Sequence, residues 1–347
     1  MRPPLRGIKE PMSGDRFGSG TRSAALAAVL AAPVLLAGCG GKQDLLHPHS
    51  HAEHRISTLW WVLMTGAWIG FAVIAFLLFL GWWRRNRAGL PFGGGERAAT
   101  GLVIGLGVAV PIVFLSALFV WTDIFVIRST DAPAATSTKL TVDVIGHQWW
   151  WEVRYPGTPA ITANEIHIPV RTPVRVLGTT ADVIHSLWVP ELNRKIDLIP
   201  GRTNSILWNA DRVGIYEGRC SEFCGLQHAH MSLLVFAQPQ PQFRAWLANM
   251  SKPAAASGSR GEHVFLSHAC SGCHQIRGTP ARGLVGPDLT HLMSRRTLAA
   301  GTIPNTRDEL ANWIIDPQEF KPGNKMPALN IDGPELDALL VYLRSLK

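Results

Sequence analysis

Two short stretches combine residue types and spacings suited to one-electron chemistry. The first is Cys220-Ser-Glu222-Phe-Cys224-Gly-Leu-Gln-His228-Ala-His230-Met231, which gathers two thiols, imidazoles and a thioether within twelve residues. His185 stands 35 residues before Cys220. Soft sulfur ligands with imidazole select copper, or zinc if the thioether is a bystander. The thioether favours copper, because structural zinc sites are normally closed by four Cys or His ligands. The plain alternative, for a chain outside the cytoplasm, is a Cys220–Cys224 disulfide with Met231 in a core. Convergence of His185, His228 and Met231 at one end of a strand domain weighs against it. The second stretch is Cys270-Ser-Gly-Cys273-His274, the spacing of c-type haem attachment. There two thiols add to two vinyl groups and the adjacent histidine reaches the iron. Met293 and Met326 are the candidates for the opposite axial position. A redox-active disulfide or half a zinc site is the alternative, but no strand precedes the motif and no second cysteine pair follows it.

These residues must be held by distinct elements, and the chain divides accordingly. Residues 56–83 and 98–122 contain no charged side chain, and about 20 apolar residues suffice to cross a membrane. Helices are expected at about 58–83 and 98–124, forming a hairpin over 56–126. Trp60, Trp61, Trp82 and Trp83 suit the two interfaces, and Arg84, Arg85, Arg87 and Arg97 mark the connecting loop as cytoplasmic. From residue 138 to 237 the period changes to two, as in Leu140, Val142 and Val144, with Pro, Gly and Asn between segments. That predicts an antiparallel sandwich or barrel. Residues 238–258 read as a linker, with a short amphipathic piece around 243–250. Residues 259–347 predict a small, mostly helical domain.

The first 38 residues read as a targeting segment, basic and then apolar, ending in Leu36-Ala37-Gly38-Cys39. That ending resembles a bacterial lipobox with Cys39 as the lipidated residue. A signal peptide cut near Gly40 is the alternative, and Met1 or Met12 could be the start. Residues 39–55, with His47, His49, His51 and His54, read as a solvated linker. Apolar residues form 47% of the chain and charged residues 17%, against roughly 25% charged in soluble proteins. This excludes disorder, a collagen-like fibre and a disulfide scaffold, and points to lipid. The net charge of +8 includes a basic leader, and no Lys/Arg run interleaved with aromatics signals nucleic acid.

The copper-type stretch resembles the CuA domain of cytochrome c oxidase subunit II, a cupredoxin barrel preceded by a two-helix membrane hairpin. Besides the cysteine loop, the resemblance rests on Gly146-His-Gln-Trp149-Trp-Trp151, His185-Ser-Leu-Trp-Val-Pro190 and Lys195-Ile-Asp197-Leu-Ile-Pro-Gly-Arg202, and covers roughly residues 55–237. It implies a dinuclear copper centre bridged by Cys220 and Cys224, with His185 and His228 each on one copper, Met231 a weak ligand and the Glu222 carbonyl the last. It also implies a magnesium ion on the Glu222 side chain at the subunit I interface, and electron entry at Trp149 as a surface aromatic, with a packed strand tryptophan as the alternative. His147 and His230 match no ligand position. The second stretch resembles class I cytochromes c: Gly286-Pro287-Asp-Leu matches the segment whose Pro287 carbonyl orients the proximal histidine, and Asn324-Lys-Met326-Pro matches the distal methionine. One departure stands out: the family commonly has Glu-Trp at the start of the second membrane helix, whereas no tryptophan follows Glu96.

Together these resemblances imply a multidomain membrane protein: a transmembrane hairpin, an all-β cupredoxin barrel and an all-α cytochrome c domain. They imply subunit II of a bacterial haem-copper oxidase fused to a cytochrome c. Such a chain accepts electrons at a covalent haem c, passes them to CuA and on to subunit I, where dioxygen is reduced to water with proton pumping. It performs no oxygen chemistry itself. The implied partners are subunit I, subunit III, a cytochrome c donor and the membrane, with no nucleic acid. The implied location is the inner membrane, multi-pass, with the soluble domains on the periplasmic side. Nitrous oxide reductase shares the copper pattern but lacks the hairpin, a quinol-oxidase subunit II lacks the copper cysteines, and a copper-delivery or haem-sensing lipoprotein would not need two complete redox sites.

Overall fold

The apolar runs form two helices, α1 (His51–Arg84) and α2 (Glu96–Thr130), each long and apolar enough to cross a membrane. The computed structural model describes residues 41, 43–85, 95–131, 138–255, 257–329, 331 and 333–347. Residues 1–38, Cys39 and Arg87 lie outside the described residues. Residues 45–347 form one compact unit. Large apolar side chains on both helices, such as Trp68, Leu78, Val113 and Phe119, are exposed, as lipid-facing residues should be.

Helix α1 starts within the histidine stretch that the sequence reading assigns to a linker. Ser50 caps it by accepting from the Glu53 backbone N–H (3.1 Å), a Ser-x-x-Glu capping pattern that makes His51 and His54 first-turn residues. The hairpin is fastened at both outer ends. His49 N–H donates to the Glu191 carbonyl (3.1 Å), and Asn193 Nδ2 to the Thr130 carbonyl (3.2 Å). Residues 191–194 of the β domain therefore hold both helix ends.

The β domain is a sandwich of two five-stranded sheets. One runs β3 (Ile161–Ala163), β2 (Trp150–Arg154), β1 (Leu140–His147), β5 (Val174–Thr180), β8 (Asn204–Trp208). The other runs β4 (Glu165–Pro169), β10 (Ser232–Gln238), β9 (Gly214–Cys220), β6 (His185–Trp188), β7 (Ile196–Leu198). The expectation of a purely antiparallel domain is corrected here, since β1 pairs in parallel with β5 and β10 with β4. Alternation still fixes the faces. Val142, Val144, Val174 and Val176 turn into a core with Trp151, Ile166, Leu187, Ile206 and Leu233.

Helix α3 (Gln240–Met250) replaces part of the expected linker and closes the sandwich edge. Its Trp246 stacks on His167 with ring centroids 3.9 Å apart, and Phe236 stacks on His167 at 4.5 Å. Burial drives the His167 pKa down to about 4 from 6.5. Below pH 6.5 the unfolded chain therefore takes up a proton that the folded chain refuses, and stability falls as pH drops towards 4. Over that window the effect is about 3 kcal/mol. His167→Phe keeps the stack and removes the titration, so the urea midpoint should become less sensitive to pH between 6.5 and 4. An unchanged pH slope in the variant would show that other groups govern it.

The last domain packs α4 (Arg260–Ser267) against α8 (Gly333–Ser345), with Phe265 and Tyr342 in ring contact at 6.2 Å. Between them lie α5 (Cys270–Cys273), the strand pair β11 (Thr297–Leu298) and β12 (Ile303–Pro304), α6 (Arg307–Ile315) and α7 (Pro317–Phe320). Val264, Ile276, Leu310, Leu339 and Leu343 form its core.

Candidate metal and haem centres

Strands β6 and β9 are hydrogen-bonded neighbours, with Leu187 opposite Cys220. That pairing closes the gap between His185 and the cysteine loop. Cys220 ends β9, Met231 precedes β10, and the Cys220 N–H donates to the Met231 carbonyl (3.0 Å). The intervening loop folds back on itself, so that Cys220 Sγ and Cys224 Sγ lie 3.7 Å apart. Each sulfur faces its own imidazole: His185 Nδ1 is 3.8 Å from Cys220 Sγ, and His228 Nδ1 is 3.6 Å from Cys224 Sγ. Met231 Sδ lies 3.9 Å from Cys224 Sγ, and the Glu222 carbonyl lies 3.2 Å from Cys220 Sγ. The Glu222 side chain is exposed. All six expected groups therefore converge, and His185, Cys220 and Cys224 offer ligand atoms within 4.8 Å of one another.

The donor set fits copper. The two sulfurs are close enough for a thiol on one to donate to the other. The bond from Cys224 drives the Cys220 pKa down and correspondingly raises that of Cys224, which favours the thiolate, the form that binds metal, at Cys220. The imidazoles are aimed from behind. His185 Nε2 donates to Asp182 Oδ1 (3.0 Å), leaving Nδ1 towards the sulfur. Burial opposes ionisation of Asp182, but hydrogen bonds from His185 and the Gln148 and Val183 backbone outweigh it and hold the carboxyl below its ordinary range. A side chain at Gly146 would put its Cβ 2.7 Å from the His185 ring, so only glycine leaves room for this ligand. His147 takes no part in the cluster; its Nε2 meets Glu152 Oε2 at 3.0 Å.

The cytochrome-type motif lines a cavity of about 210 Å³ together with Pro287 and Met326. His274 Nδ1 donates to the Pro287 carbonyl (2.8 Å), leaving Nε2 free on the other side of the ring. Burial lowers the His274 pKa, keeping the ring neutral and available to a metal. A Cβ at Gly286 would lie 2.4 Å from the His274 ring, so the glycine is what lets Pro287 reach the imidazole. Met326 lines the cavity and Met293 does not. The apolar walls, including Phe265, Leu310, Trp313 and Leu343, suit a flat macrocycle.

The cavity is not walled by its own domain alone. Gln148, Trp149 and Trp150 of the β domain also line it. Trp149, expected as a surface aromatic, is instead 8% exposed, packed in the β-domain core with its ring against the cysteine loop. Its indole Nε1 donates to the Cys224 carbonyl (2.9 Å). Half-buried Asp182 and buried Arg295 and Lys321 escape the sequence reading. Asp182 carries a faint local signal, three residues before His185. Arg295 and Lys321, which both line the cavity, carry none, because basic residues in loops read as surface.

Residues 160–238 match the family model for the periplasmic domain of cytochrome c oxidase subunit II, and residues 258–347 match that for cytochrome c. These models imply copper at the first cluster and haem at the second, and soluble domains on the periplasmic side of a membrane anchor. The chain is 36% identical over 246 residues to cytochrome c oxidase subunit 2 of Alkalihalophilus pseudofirmus, covering 69% of this chain and 71% of the relative. It is 26% identical over 345 residues to the Bacillus subtilis subunit 2, covering 91% and 95%. The crystal structure of the periplasmic domain of subunit II of the Bradyrhizobium japonicum oxidase is 32% identical, with 34% and 96% coverage and a TM-score of 0.33. With the copper-type loop, the membrane hairpin and the appended haem-type domain in one chain, this protein belongs to the cytochrome c oxidase subunit II family, as an electron-transfer subunit of that oxidase carrying its own cytochrome c domain.

Proposed function

We propose that electrons enter this chain at a covalent haem c in the C-terminal domain, reach the copper centre through Trp149, and leave to subunit I. There the holoenzyme reduces dioxygen to water and pumps protons. Cys270 and Cys273 would hold the haem by thioether bonds, with His274 and Met326 as axial ligands. Cys220, Cys224, His185, His228, Met231 and the Glu222 carbonyl would hold two coppers. Both groups, when bound, supply one-electron redox chemistry. The chain's own residues fix their distance, exclude water and tune their potentials, and a His/Met axial pair raises a haem potential.

One observation carries the reading: the cavity that holds the Cys-Ser-Gly-Cys-His motif is walled by Trp149, whose indole donates to the Cys224 carbonyl at 2.9 Å. The finer assignments belong to the same proposal: the Glu222 carboxylate as a magnesium ligand, lipidation at Cys39, a multi-pass inner-membrane hairpin, a cytochrome c donor and a subunit III neighbour. Met326→Leu in the assembled oxidase removes the thioether from the haem cavity only. Oxidation of an external cytochrome c should slow about tenfold or more while the copper spectrum stays unchanged. Full-speed oxidation by that variant would contradict entry through the C-terminal domain.

A further inference from the structure

Lys321 belongs to the cytochrome domain, yet its ammonium group lies against the β domain. It is 2% exposed. Nζ donates to the carbonyls of Trp149 (2.9 Å) and His230 (2.8 Å) across the interface, and to Ala299 (3.2 Å) in its own domain. Three acceptors use all three N–H bonds of an ammonium, so the charged form is the one that the pocket satisfies. Burying a lone cation without a carboxylate partner is costly, and an apolar residue would leave three carbonyls unpaired. What the charge gains is placement. It grips the carbonyl of Trp149 and that of His230, the residue before Met231.

A second buried ionisable group reaches the other way. Glu165 of β4 is buried, and its Oε1 accepts from the backbone N–H of Arg296 (2.6 Å) and Thr297 (3.3 Å) in the cytochrome domain. Between these anchors the Ser232 N–H donates to the Ala300 carbonyl (3.0 Å), and Gln227 Nε2 to the Pro322 carbonyl (2.7 Å). Each domain thus sends one buried ionisable side chain to backbone groups of the other. Such groups are poor glue but strict about register, because a shifted interface would strand them.

We propose that Lys321 is a positioning residue for the electron step between the two centres, locking the cytochrome domain, in register with Glu165, so that the haem cavity stays closed against Trp149. This rests on the function proposed above. Loss of the lock should let the cytochrome domain undock from the β domain, so that transfer waits for redocking.

The test compares wild type, Lys321→Met, Lys321→Arg and Glu165→Ala in the assembled oxidase. The first readout is hydrogen–deuterium exchange of peptides containing Ser232, Arg296 and Thr297, whose amides bond across the interface. It is also read on the chain without haem or copper. Lys321→Met and Glu165→Ala should exchange at least about tenfold faster there, and Lys321→Arg less so. The second is transfer from flash-reduced haem to copper, which should slow by a similar factor and become dependent on solvent viscosity, with both optical spectra unchanged. Should Lys321→Met fail to assemble, Glu165→Ala carries the same prediction from the other side. Unchanged exchange and transfer within about twofold of wild type in an assembled variant would overturn the role of Lys321 alone. A wild type without haem-to-copper transfer would overturn the functional reading beneath it.

Discussion

Cys220→Ser and Cys224→Ser should each abolish the mixed-valence two-copper signal and stop electron delivery to subunit I. The two sulfurs lie 3.7 Å apart, and each is the near neighbour of a different imidazole. Neither position can therefore be lost without unseating one metal. Serine offers a hard oxygen that stays protonated near neutrality, whereas the proposed two-copper centre would require a soft thiolate able to share charge between two metals. Met231→Leu is the matched control. Its sulfur lies 3.9 Å from Cys224 Sγ at the edge of the cluster, so copper should remain while its potential and spectrum shift. An unaltered two-copper paramagnetic spectrum in either serine variant would refute the bridging assignment.

The second large effect is expected from Cys270→Ala combined with Cys273→Ala. His274 and Met326 remain in that variant, but nothing covalent retains the macrocycle. The denatured chain should lose all haem staining, and turnover with an external cytochrome c should fall by about a hundredfold or more as the effective concentration of haem beside Trp149 is lost. Copper EPR should be unchanged, because none of its ligand groups belongs to this domain. Haem staining that survives denaturation would contradict attachment at these cysteines.

Much of this architecture was legible because its determinants are local. Cys220, Cys224, His228 and Met231 fall in one loop, Cys270, Cys273 and His274 in one turn, and the membrane helices in two uncharged runs. His185 lies 35 residues away and was read into the set by residue type, and the β6–β9 pairing is what brings it to Cys220. Strand β9 (Gly214–Cys220) escaped the sequence reading because Gly214, Gly218 and Arg219 weaken its apolar alternation. The β1–β5 and β10–β4 parallel pairs escaped it because pairing is non-local. The earlier start of α1 was legible in principle, since Ser50 and Glu53 spell a capping box. Glu165 and Lys321 were invisible for a different reason. Each is an ordinary polar residue in sequence, and each acquires its role only when another strand or the other domain closes over it.

The central claim is that one chain holds both centres and passes electrons between them internally. The most direct measurement is flash reduction of the haem in the purified oxidase, with copper reduction followed optically over a range of protein concentrations. An internal step predicts that copper reduction follows haem oxidation at a rate independent of protein concentration and little affected by salt. A rate proportional to concentration, or copper reduction that precedes haem oxidation, would contradict it.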